Sequence, residues 1–266
     1  MNAARRSREG GFALVTVLWA AVILAAITAS VLHTARREMR VANTRLMHAQ
    51  LGALADAAIS ITILRMLDAH PAMQPLTDAT PFAVAFGGRT IRVRVQDEAG
   101  RIDLNAAQPA LLLRLLMAAG LDLPRAQRLV DNILDWREPG PGHHLNGADA
   151  ADYAAAGLAY GPREGPFESV QELQLVMGMT PALYARVAPL LTIYSQTPWV
   201  DVGAAPPGVL DVLDLPAPPG PAAVKLGRVF TIVADLRGPR SARVRRTAIV
   251  QLTGSRRRPV LTYSWR

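Results

Sequence analysis

Residues 12–32 read FALVTVLWAAVILAAITASVL, twenty-one residues without a single charge. Wound as a helix, such a stretch spans roughly 30 Å, the thickness of a bilayer's hydrocarbon layer. The segment before it, MNAARRSREGG, sets Arg5, Arg6 and Arg8 against one acid, Glu9. Arginines on that flank hold it in the cytoplasm and leave the rest of the chain outside. A secretory signal peptide would have a shorter apolar core and a small-residue cleavage site followed by a loop. Here the small residues Ala26, Thr28 and Ala29 are followed by no loop, because HTARREMR at 33–40 reads as continued helix.

From Val31 to Leu67 there is no proline and a single glycine, Gly52. Met47, Leu51, Leu54, Ala58, Ile61 and Leu64 recur at three- and four-residue steps, which predicts an amphipathic helix ended by Pro71 and Pro75. Span and stem together form a continuous helix of roughly 80 Å. Beyond it, PFAVAF at 81–86, then Gly87-Gly88, then RTIRVRVQDE read as a β-hairpin. Ile91, Val93 and Val95 face one side of it, and Arg92, Arg94 and Gln96 the other. Strand patterns return only at Arg228–Asp235, Arg245–Thr253 and Pro259–Trp265. The sheet is thus split by a helical insert.

The insert holds two similar halves. In RIDLNAAQPALLLRLLMAAGLDLPRAQRLVDNILDW, Asp103 or Asn105 caps a helix with Leu111, Leu112 and Leu115 on its apolar face. Gly120 ends that helix, and a second begins near Pro124. In PFESVQELQLVMGMTPALYARVAPLLTIY, Ser169 and Glu172 have capping-box spacing, Gly178 ends the helix, and Pro181 starts another. Each half has the size of a helix-hairpin-helix unit, and Trp199–Pro216 is a partial third. The expected fold is α+β: a pilin-like long N-terminal helix on an antiparallel sheet, with an all-α (helix-hairpin-helix or SAM-like) insert.

The chain of 266 residues carries a net charge of +8 and no cysteine, which excludes disulfides, Cys-ligated metals and thiol catalysis. The basic excess lies at the end, with nine arginines and one acid, Asp235, between Val229 and Arg266. Alternating charge of that kind commonly protects sheet edges.

The Gly11-Phe12 junction between a basic leader and an apolar helix resembles the signal of type IV pilins and pseudopilins. That resemblance implies cleavage by prepilin peptidase between Gly11 and Phe12 and methylation of the new amine. Position five of the mature chain, where most pilins carry glutamate, is Thr16. The K-type minor pseudopilins of type II secretion share this loss. The insert resembles the same family through Leu104-Asn105, Asp135-Trp136, Gly147-Ala148-Asp149 with Tyr153, and Pro166, Phe167, Ser169, Val170, Glu172, Leu173, Val176, Gly178 and Met179. It departs from the family at Asp201–Ala205 and in the short, proline-rich 215–221.

The resemblance implies a non-enzymatic subunit of the bacterial inner membrane, single-pass, with a cytoplasmic N-terminus and a periplasmic head. It would sit at the pseudopilus tip, nucleating assembly and supporting export of folded proteins across the outer membrane. The implied partners are the I- and J-type minor pseudopilins, the major pseudopilin, prepilin peptidase and the inner-membrane secretion platform. The implied layout is a leader at 1–11, a transmembrane helix at 12–34, stem and first hairpin at 35–103, insert and return linker at 104–221, and closing strands at 222–266. No cofactor is required by the sequence. Calcium is the single candidate the resemblance raises, with Asp135, Glu138, Asp149 and Asp152 as ligands and Asn146 suitable in type, although their order does not fit an EF-hand.

Two rivals remain: a membrane-anchored helix-hairpin-helix DNA-uptake protein and a minor type IV pilin. Against nucleic acid, the turns Gly120-Leu121-Asp122 and Gly178-Met179-Thr180 both lack a second glycine, and Asp122 repels phosphate. Against an enzyme, no nucleophile elbow, zinc helix or P-loop is present. The adjacent His143 and His144 project differently, as in an exposed polar loop.

Overall fold

The computed structural model describes residues 9–140, 144–218, 220, 223–239 and 242–266, with backbone alone at 9–13, 34 and 35. Helix α1, Glu9–Met66, runs unbroken for 58 residues, a length of roughly 87 Å. Leu51, Gly52, Ala55, Ala58, Ile59, Thr62, Ile63 and Met66 are its buried residues. This seam is rotated from the expected one, and Leu64 is 68% exposed. Steps averaging about 3.4 residues fall behind a 3.6-residue turn, so a stripe followed from Met47 has left the core by Leu64. The buried hydroxyl of Thr62 donates back to the Ala58 carbonyl at 2.8 Å. The helix stops before Pro71 and Pro75, which lie in or just beyond a separate 3₁₀ turn, Pro71–Met73.

Strands β1 (Phe82–Phe86) and β2 (Arg89–Asp97) form the hairpin. Gly87 and Gly88 both take positive φ, +57° and +69°, as a two-residue turn matched to strand twist requires. The short β3 (Ile102–Asp103) and β4 (Leu191–Thr192) pair in parallel. Strands β5 (Val229–Arg237), β6 (Arg243–Leu252) and β7 (Val260–Trp265) complete a five-stranded antiparallel sheet of order β1-β2-β5-β6-β7. Strands β2 and β5 are neighbours in register, Val95 opposite Ile232, although the whole insert lies between them in sequence. Val84, Ile91, Val93, Val95, Phe230, Ile232 and Val250 pack against the seam of α1.

The insert contains α2 (Pro109–Ala118), α3 (Leu123–Arg137), α4 (Ala150–Ala155), α5 (Pro181–Val187) and α6 (Pro207–Leu213). It is all-helical apart from the parallel β3–β4 pair at its base. Gly120 and Gly178 take φ of +99° and +89° at the two hairpin turns, where a side chain would be strained. Asp122 and Thr180 cap the helices that follow. Other expected caps fall elsewhere. Gln108 precedes α2 without a side-chain bond, while Asp103 receives the Asn105 and Ala106 N–H groups in a tight turn of its own. Ser169 caps nothing, because Val170–Leu175 winds as a 3₁₀ helix and Glu172 takes the Glu168 N–H instead. The capping box that does form is the Asp149/Asp152 pair of α4.

The insert joins the sheet through a narrow neck. Gln96, on the β2 face opposite Ile91, Val93 and Val95, is 3% exposed. Its amide donates to the Ala204 carbonyl at 2.9 Å, so the returning chain covers this end of the sheet. A Cβ at Gly100 would lie 2.0 Å from the Ala204 carbonyl oxygen, so only glycine permits this approach. Arg228 bridges the buried Asp97 and Asp201 at 2.8 and 2.6 Å, and Lys225 reaches Asp201 at 2.7 Å.

Candidate assembly site

The first surface is the free half of α1. Every described side chain from Leu14 to Leu46 is exposed, Leu14 at 75% and Leu24 at 67%. Its apolar part, to Leu32, is covered by none of the described residues, and the helix is long and apolar enough to cross a membrane. The Thr28 hydroxyl donates to the Leu24 carbonyl at 2.8 Å, which satisfies it without water, as a hydrocarbon setting demands. Thr16 lies on this exposed surface. Gly11 and Phe12 fall within the range of α1, and their side chains lie outside the described residues.

The second surface is the crown of the insert, where the motif residues meet. Asn105 receives the Phe167 N–H at 2.7 Å and donates to the Phe167 carbonyl at 3.0 Å, which locks the first half to the second. Trp136 stacks on Phe167 with ring centroids 6.1 Å apart, and Tyr153 lies 6.3 Å from Trp136. The buried Tyr153 hydroxyl accepts from the Met177 N–H at 2.8 Å. Arg137 donates to the Leu104 and Ala107 carbonyls. These residue types therefore hold the two helical halves together, and none is arranged as a catalytic pair.

Beside this cluster, Asp135 is 7% exposed and accepts from both the backbone N–H and the ring Nδ1 of His144, at 2.9 and 2.7 Å. That bond, with the charges of Glu138 and Asp131 behind it, lifts the imidazole above its ordinary pKa. His144 is thus a partner of the crown and not a free loop residue; His143 lies outside the described residues. A Cβ on Gly147 would come within 1.6 Å of Asp135 Oδ2, so the loop needs glycine there.

The four carboxylates read as calcium ligands are dispersed in role. Asp149 and Asp152 receive each other's backbone N–H groups as caps, Asp135 is engaged by His144, and Glu138 stands 3.9 Å from His144 Nε2. Among the described residues no group of three or more His, Asp or Glu side chains is placed to hold a metal.

Residues 93–196 match the family described as type II secretion system (T2SS), protein K. The likeness lies in this domain, which covers less than half of the chain. Over 133 residues it is 31% identical to the type II secretion system protein K of Klebsiella pneumoniae, covering 50% of this chain and 39% of that one. Over 141 residues it is 29% identical to the namesake in Pseudomonas aeruginosa PAO1, covering 49% and 42%. The chain therefore spans about two fifths of the length of these protein K relatives. Its fold is similar to that of a chain in the crystal structure of the GspK-GspI-GspJ complex from the enterotoxigenic Escherichia coli type 2 secretion system. There the TM-score is 0.57 at 16% identity, over 87% of this chain and 98% of that one. The likeness bears out the long helix, the antiparallel sheet and the helical insert expected from sequence.

Sequence reading missed the neck. Asp97, Asp201 and Arg228 are far apart in the chain, and no periodicity joins them. The one signal was the departure from the protein K pattern at Asp201–Ala205, the segment that packs over Gly100 and Gln96.

Proposed function

We propose that this chain is a protein K of type II secretion, a minor pseudopilin that acts at the tip of the pseudopilus. The observation that carries the reading is the division of α1: one half supplies the core of the head, and the other is a fully exposed apolar rod. A rod of this kind gains stability only from lipid or from the rods of other subunits. Prepilin peptidase would remove residues 1–11 and leave Phe12 as a methylated N-terminus, with the apolar segment in the inner membrane and the head in the periplasm. Thr16 in place of glutamate leaves no carboxylate to pair with a neighbour's amine in the apolar filament. That suits a terminal subunit, and the helical insert would obstruct addition above it. The major pseudopilin and the I- and J-type minor pseudopilins are the partners that fit. In this role the subunit starts the filament and helps export folded proteins through the outer membrane by packing and surface complementarity, without chemistry of its own.

The test has two arms in cells that carry the dedicated peptidase. Mass spectrometry of the purified chain should show a methylated Phe12 as the first residue, and the chain should co-purify with tagged I- and J-type subunits. An unclipped N-terminus, or loss of the apolar segment from the mature protein, would overturn the reading.

A further inference from the structure

The two helical hairpins enclose a groove of about 440 Å³ at their facing turns. Its floor is apolar, from Leu121, Leu129 and Leu183, and its rim carries Arg125, Arg128 and Arg186. Residues 104–221 contain six arginines and twelve acids, so half the arginines of an acidic insert gather at one groove. Arg128 is exposed and makes no ion pair among the described residues. Arg186 spends one N–H on the Ala119 carbonyl at 2.8 Å, and Arg125 lies a loose 3.5 Å from Asp122. Each guanidinium keeps further donors facing outward. Asn132 lines the wall, 5% exposed. Its amide donates to the Met177 carbonyl, and its Oδ1 has no hydrogen-bond partner.

We propose that this groove docks a protein partner through an acidic peptide segment that carries a bulky apolar side chain. The apolar side chain would enter between Leu121, Leu129 and Leu183, and flanking carboxylates would take the arginine forks. The same groove is poorly made for a nucleic-acid backbone. Asp122 Oδ1 already accepts the Arg125 N–H at 2.9 Å, and Thr180 Oγ1 the Leu183 N–H at 3.2 Å, so these amides are not open to phosphate. Among the described residues no aromatic ring lines the groove for base stacking.

The experiment uses the full chain in detergent and fluorescence anisotropy of a labelled short peptide alternating glutamate and leucine. A lysine–leucine peptide and a short DNA duplex serve as comparisons. The acidic peptide should bind saturably and more weakly as salt rises. Arg128→Glu should weaken it about tenfold and strengthen the lysine peptide, a reversal that loss of structure cannot mimic. Arg125→Glu should act in the same direction and stands in if the first variant misfolds. Equal binding of the two peptides, or indifference of both variants, would overturn the proposal. Tighter binding of the duplex would overturn it in favour of a phosphate ligand.

Discussion

The two halves of α1 share one backbone and much the same apolar content, yet they live in different surroundings. From Leu14 to Leu46 every described side chain is exposed. From Leu51 to Met66 a seam of eight residues is buried against the sheet. The difference lies in patterning. The first half is apolar on all sides as far as Leu32, so no face of that stretch is distinguished and a low-dielectric solvent or other helices must surround it. The second half interleaves Asp56, Ser60 and Arg65 with its apolar residues, so one stripe enters the core and the rest faces water.

Two substitutions test whether these halves are energetically separate and a third probes the head alone, given in order of expected size. Phe230→Ala opens a cavity where α1 meets β5, because Phe230 is fully buried. It should cost about 3–5 kcal/mol, read as a lower melting temperature of the head by near-ultraviolet circular dichroism, with membrane fractionation unaltered. Val22→Arg places a charge at the centre of the apolar rod and should cost about 2.5–3.5 kcal/mol of bilayer insertion. Here the protein should leave the membrane fraction while the melting of the head stays the same. If either change moved both readouts, the halves would be coupled and the division would fail.

The third substitution sharpens the contrast inside the head. Burial pushes the Asp201 carboxyl up, but the bonds from Lys225 and Arg228 outweigh it and hold the group below its ordinary value of 3.8. A carboxyl depressed in the folded state contributes stability above its unfolded pKa, and that contribution disappears as pH falls through the folded value. Asp201→Asn should remove about 1 kcal/mol or less at neutral pH and flatten the acid limb of the stability curve in pH-dependent denaturant titrations. Asp97 has the opposite sign. Its burial outweighs the bonds from Arg228 and the Ala99 N–H and raises its carboxyl, so Asp97→Asn should not flatten that limb.

Much of this was legible in the sequence because short-range patterns carry it. The charge-free run, the Gly87-Gly88 turn and the period-two strands state their own conformations, and the glycines at 120 and 178 mark where helices must stop. The unreadable parts depend on distant chain. The phase of the α1 seam is set by which residues the sheet meets, so Leu64 looked apolar and inward yet faces solvent. Nothing near Gln96 in the chain marks it as buried, because its cover, Ala204, is more than a hundred positions away. The Ser169/Glu172 spacing suggested a cap that the 3₁₀ winding leaves unmade. At the crown, the residue types around Trp136 were visible, but their purpose as a clasp between Asn105 and Phe167 required the fold.

Strand β5 begins where β2 ends, Phe230 opposite Asp97, so the polypeptide leaves the sheet and comes back at almost one point. A module tethered by a single hinge-width stalk can be enlarged, trimmed or exchanged between lineages without disturbing the strand order beneath it. Diversification of the crown is thereby decoupled from the geometry of the platform that carries it.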